Sequence, residues 1–176
     1  MSELEISLPS DTALRMVRMF AAPPDMVFAA HTVPALLKRW HGALVSAEID
    51  LTVGGNWRFV SRRPDGREIG QYGVYREIEP NERLVRTENW SDWNPGEVTV
   101  STIFSPVGEA TRLEVTMQFP SREVRDLLVK AGMNEEAVEQ YRRLDATLAG
   151  YQMRWEVTPS SRKPSSTGWL SMMRSQ

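Results

Sequence analysis

Between Leu44 and Phe119 the apolar residues fall into a period of two, broken by a turn signal every 8 to 15 residues, and that pattern admits little besides an antiparallel meander. Gly54-Gly55, Pro64-Asp65-Gly66, Pro80-Asn81, the loop Ser91 to Gly96, and Pro106 to Glu109 mark the turns. The last strand alternates most cleanly: Leu113, Val115, Met117 and Phe119 point one way, and Arg112, Glu114, Thr116 and Gln118 the other. One face is therefore buried and one wet. After Pro120 the period turns helical, with a short segment capped by Ser121 and stopped at Gly132. Asn134 is expected to cap the longest helix, in which Ala137, Tyr141, Leu144, Leu148, Tyr151 and Trp155 form one stripe that must face the sheet.

Upstream, residues 1–12 read as a lead-in, and Leu14 to Phe20 as a strand partly covered on both faces. Pro23-Pro24 ends that strand and opens a helix running to about His31. Thr32 is expected to cap a second short helix from near Pro34, with Leu36, Leu37 and Trp40 on its apolar face and Gly42 at its end. Residues 13–157 then make one α+β domain with a curved antiparallel sheet of about seven strands. Residues 158–176, rich in Ser, Lys, Arg and Pro before Trp169 and Met172-Met173, are expected to form a flexible tail. A curved sheet cannot meet a straight helix along its whole length, so the space between them suggests a container for an apolar molecule.

Composition removes several functional classes. With 41% hydrophobic and 25% charged residues in 176, the chain reads as one ordinary globular domain. The 21 Lys and Arg against 23 Asp and Glu leave no basic excess for phosphates, so nucleic acid is not expected as a partner. Cysteine is absent, which removes disulfides, thiolate metal sites and a thiol nucleophile. No apolar run approaches the roughly 18 residues of a membrane span, and the acidic N-terminus is unlike a signal peptide, so a cytoplasmic location is expected. An exposed sheet edge leaves a homodimer open.

Trp57, Phe59, Tyr72, Trp90, Phe104, Met117 and Phe119 are the strand residues able to line the concave face, opposite Tyr141, Leu144 and Leu148 of the long helix. Each could instead simply fill core. Trp93, in a turn-rich loop with Asp92, is placed either to gate an opening or to buttress its own loop. Arg86 and Glu88 share a face with Trp90; if it is concave they anchor a polar ligand end, and if convex they form a solvated pair. His31 and His41 stand ten apart at helix ends, without metal-site spacing, and serve as bases only if they face the interior. Gly54-Gly55 is a turn with no phosphate-loop lysine, and no Gly-x-Ser-x-Gly occurs. Neither a metal nor a cofactor is expected, and no residue is assigned a catalytic role.

An ordered set of residues carries a resemblance across positions 13 to about 155. Arg18 to Pro23, Val27-Phe28-Ala29-Ala30, Pro34, Leu37, Arg39-Trp40, Asp50-Leu51, Val53-Gly54-Gly55, Trp57-Arg58-Phe59, Pro64-Asp65-Gly66, Gly73, Glu77 to Pro80 and Arg83-Leu84-Val85 resemble homologues of the heat-shock-protein-90 ATPase activator. That family belongs to the SRPBCC or START-like superfamily, whose helix-grip shape is also that of the birch-pollen allergen. The resemblance implies the helix-grip fold and a ligand cavity, while the superfamily hosts binders, cyclases and hydrolases alike. The expected function is non-catalytic binding of a hydrophobic or aromatic small molecule, lipid or polyketide-like, between sheet and C-terminal helix. The alternatives are a cyclase or hydrolase acting on a similar ligand, and a co-chaperone-like interaction module.

Overall fold

The computed structural model describes residues 2–156. The Trp155 side chain and the expected tail at 158–176 lie outside what it describes. Eight strands form one antiparallel sheet: β1 (Glu5–Ser10), β2 (Ala13–Phe20), β3 (Leu44–Ile49), β4 (Asn56–Arg62), β5 (Glu68–Glu79), β6 (Arg83–Trp90), β7 (Val98–Val107) and β8 (Ala110–Gln118), in the spatial order β1-β2-β8-β7-β6-β5-β4-β3. The six strands from β3 to β8 are the meander read from the sequence. The expected lead-in is corrected: residues 5 to 10 pair with β2 as an edge strand. Its residues are nearly all exposed, so no buried face signalled it.

Helices α1 (Pro24–Thr32) and α2 (Pro34–Trp40) connect β2 to the far edge of the sheet, and α3 (Arg122–Lys130) and α4 (Met133–Glu156) follow β8. Pro24 and Pro34 each sit at a first turn, where a missing N–H costs nothing. Thr32 does not cap α2. Val33 holds that position, and the Thr32 hydroxyl donates to the Phe28 carbonyl of its own helix at 2.9 Å. Asn134 likewise lies inside α4 rather than at its cap. Ser121 does cap α3, accepting from the Val124 N–H at 3.2 Å. Ser121→Ala is expected to cost about 1 kcal/mol, read as a lower urea midpoint at unchanged slope.

The α4 stripe faces inward as its spacing requires, with Leu144 fully buried and Tyr141 and Leu148 nearly so. Its backbone nevertheless packs chiefly against α2, α1 and α3 rather than any strand. Large groups bridge the distance to the sheet. Tyr141 meets Phe20 edge-on at 5.7 Å and stacks on Trp40 at 6.1 Å, and the buried Arg18 of β2 pairs with Asp145.

Candidate functional site

Strand register decides which side chains reach the interior. Arg86 and Glu88 of β6 stand opposite Val100 and Val98 of β7, both buried in the core, and Val100 in turn stands opposite Met117 of β8. Arg86 and Glu88 therefore face the concave side, and the alternative of a solvated convex pair is excluded. On β4, Trp57 and Phe59 share that face, each about 1% exposed. Phe104, Met117 and Phe119 are buried there too. Tyr72 is corrected: it points to the convex side and is 46% exposed. Tyr75, at odd spacing from Tyr72 and therefore on the opposite face, is the inward tyrosine of β5, 1% exposed.

The guanidinium of Arg86 lies over the Trp57 ring, its Cζ 4.0 Å from the centroid, and 5.4 Å from that of Phe59. Such a platform holds a cation electrostatically and leaves the in-plane N–H groups free. One long contact occupies a single donor: Nη2 to Oε2 of Glu88 at 3.3 Å. Glu88 accepts a second weak bond from Gln71 at 3.4 Å. Burial pushes the Glu88 carboxyl above its usual range, with Arg86 pulling the other way. The Trp57 indole N–H reaches across β5 to the Thr87 carbonyl at 3.0 Å.

His31 lies in the last turn of α1 and His41 follows α2, and both turn inward. His31 lies 4.9 Å from Trp40 and 5.3 Å from Phe104 between ring centroids, and His41 lies 5.5 Å from both Trp40 and Phe59. A continuous wall of rings thus runs from His31 to the Arg86 platform. Desolvation lowers both imidazoles to about 4; the nearby Arg86 charge adds to this, while the Val27 bond opposes it at His31. Both rings are therefore neutral at pH 7. The His31 Nδ1 sits 2.7 Å from the Val27 carbonyl, which can only accept, so the proton is on Nδ1 and Nε2 offers a lone pair.

Among the described residues, His31 Nε2, His41 Nδ1 and the Tyr75 hydroxyl are buried without a hydrogen-bond partner. Buried polar atoms almost always have one, so three orphans around one guanidinium mark the polar part of this interior. Burial raises the Tyr75 hydroxyl above its usual range, against the pull of Arg86, and pushes Tyr141 up to about 12.

The other sequence candidates are spread around this centre. Trp90 is partly buried at the end of β6, with Trp93 of the following loop 5.7 Å away, while Asp92 is exposed. Leu148 faces Met26, Ala29, Ala30 and Leu36 of α1 and α2. A cleft of about 300 Å³ lies between α2 and α4, lined by Arg39, Arg143, Ala146, Thr147, Gly150 and Tyr151, none of them a residue proposed from the sequence. The polar centre thus sits beneath the α1–α2 junction and over β4 to β6, to one side of the α4 stripe.

Comparison with known proteins agrees with this architecture. Residues 21–149 match the family described as Activator of Hsp90 ATPase homolog 1-like protein. The chain belongs to that family. A Rhodobacter sphaeroides protein of known crystal structure is 34% identical, with a TM-score of 0.78 over 84% of this chain and 99% of its own. Proteins from Nitrosomonas europaea (23% identity, TM-score 0.74, covering 83% of this chain and 99% of that one) and Mycobacterium smegmatis (22%, 0.74, 84% and 98%) share the fold. No curated protein sequence matches. The family match begins just after β2, so β1 and β2 both lie outside the matched region.

Sequence reasoning missed Tyr75 and left the orientation of both histidines open. The available signal was parity: Tyr72 and Tyr75 cannot both face inward from one regular strand, and Gly73 marks where a bulky neighbour crosses it. Among the described residues no group of three or more His, Asp or Glu is placed to hold a metal ion, and no helix is long and apolar enough to cross a membrane.

Proposed function

We propose that this member of the family binds a hydrophobic or aromatic small molecule in the interior between the sheet and its covering helices. The observation that carries the reading is the ring wall His31, Trp40, His41, Phe59 and Trp57 enclosing three unpartnered polar atoms and a guanidinium. Apolar walls supply affinity and a few convergent polar groups supply orientation. A ligand of about twenty heavy atoms at about 0.3 kcal/mol per atom gains about 6 kcal/mol, a Kd on the order of tens of micromolar. A panel of lipids, flavonoids and polyketides is expected to include binders that raise Tm and quench Trp fluorescence, since Trp40 and Trp57 line the site. A flat response across the panel overturns the proposal.

The convergence of His31, His41, Tyr75 and Glu88 on one guanidinium favours a second reading, an enzyme of cyclase or hydrolase type using a neutral imidazole as base. Mass spectrometry of each binder after incubation separates the two: unchanged compound supports the carrier, and a protein-dependent product supports the enzyme.

A further inference from the structure

Resting on the binding reading above, we infer that the guest is a hydroxylated aromatic acid, its acid oxygens on Arg86 and Tyr75 and its hydroxyl donated to His31.

The acid follows from Arg86. A guanidinium has five donors in a planar fork that matches a carboxylate or other oxyanion edge-on. Here the Trp57 ring covers one face of the fork, and a single 3.3 Å contact to Glu88 engages its edge. The side chain keeps 21% of its surface accessible, so the protein does not enclose it completely. Tyr75 stands opposite Arg86 across the β5–β6 pair, and its unpartnered hydroxyl can donate to the same anion. A cationic guest would meet the guanidinium instead. The aromatic character follows from the surroundings, because the side chains around the guanidinium are rings: Trp57 and Phe59 beneath it and His41 and Trp40 continuing the wall.

The hydroxyl follows from His31. Its Nδ1 proton is committed to Val27, which leaves Nε2 as an acceptor enclosed by Trp40 and Phe104. A sealed acceptor calls for a donor. A carboxylate or an ether cannot supply one, and a phenolic or enolic hydroxyl can. One molecule carrying an oxyanion and a hydroxyl on an aromatic frame satisfies the guanidinium, the tyrosine and the imidazole together.

The test titrates the full chain by tryptophan fluorescence with 6-hydroxy-2-naphthoate, 2-naphthoate and methyl 6-hydroxy-2-naphthoate. The hydroxy acid is expected to bind tightest, with about tenfold loss on removing either the charge or the hydroxyl. Arg86→Gln should bring the acid and its ester to equal affinity, while His31→Phe should erase the preference for the hydroxyl and keep that for the acid. Should either variant fail to fold, the three probes on the unaltered protein decide. Ester and acid binding equally well to that protein overturns the acid assignment and leaves the interior site standing. An acid preference that survives Arg86→Gln overturns it too, moving the anion to another cation such as Arg39 or Arg143 of the outer cleft. Equal affinity for the two acids overturns the hydroxyl assignment. Failure of all three probes to bind overturns the hydroxylated aromatic acid as guest, and the panel of lipids, flavonoids and polyketides then decides the interior binding reading on its own.

Discussion

Lowering the pH from 7 to 4 is expected to strip up to about 3 kcal/mol of folding free energy for each buried imidazole. His31 and His41 titrate near 4 in the folded protein against 6.5 when exposed. Between those values the unfolded chain binds more protons than the folded one, so stability is complete above about pH 6.5 and falls as the pH drops toward 4. Glu88 and Asp145 act in the opposite direction: burial raises both carboxyls, so their contribution favours the folded state at low pH and fades as the pH rises through their folded values. This carboxyl contribution sets in above the ordinary carboxyl value and offsets part of the histidine loss, and it is common to the two proteins compared next. Urea midpoints measured from pH 7 to 4 should therefore fall steeply in the unaltered protein and much less in a His31→Gln, His41→Gln double variant. Equal slopes for the two proteins would show that the rings ionise freely in the folded state.

Gly73→Ala is expected to cost about 3 kcal/mol, although the position lies in an ordinary-looking strand. A β-carbon built there falls 1.9 Å from the Thr87 carbonyl oxygen and 2.6 Å from its carbon, both backbone atoms that no rotamer change can move. The same carbonyl accepts the Trp57 indole N–H, and the Thr87 hydroxyl accepts the Val74 N–H at 3.0 Å. Making room for a methyl group pushes β5 from β6 where Trp57 crosses, and disturbs the platform beneath the adjacent Arg86. Gly150→Ala is the matched control. It lies in α4 with nothing within 4 Å of the added carbon, and the gain in helix propensity should stabilise the protein by about 1 kcal/mol. Opposite shifts of the urea midpoint are expected; a Gly73→Ala midpoint at or above the parent value would refute the crossing contact.

Much of the fold was legible because its signals are local. Alternation in β8 and the four-and-three spacing in α4 report one buried face each, and both faces lie where the pattern put them. Where the signal weakens, the reading fails for a physical reason. Strand β1 has almost no buried face to betray it, and Thr32 satisfies its hydroxyl within α1 instead of capping α2.

The site was less legible, since inward and outward are global properties. The period of two puts Arg86 and Glu88 on one face, but only their pairing with Val100 and Val98 shows that the face is concave. Tyr72 and Tyr75 compete for one orientation, and the chain's crossing at Gly73 settles it in favour of Tyr75.

Periodicity, turn residues and the absence of cysteine by themselves determined the strand meander, the amphipathic terminal helix and the exclusion of thiol chemistry. Those properties depend on neighbours a few positions apart. Only the tertiary structure decided that two histidines, a tyrosine and an arginine from α1, β5, β6 and the end of α2 meet behind one wall of rings. Their encounter depends on sheet curvature and cross-strand register, which bring together residues up to 55 positions apart, from His31 to Arg86.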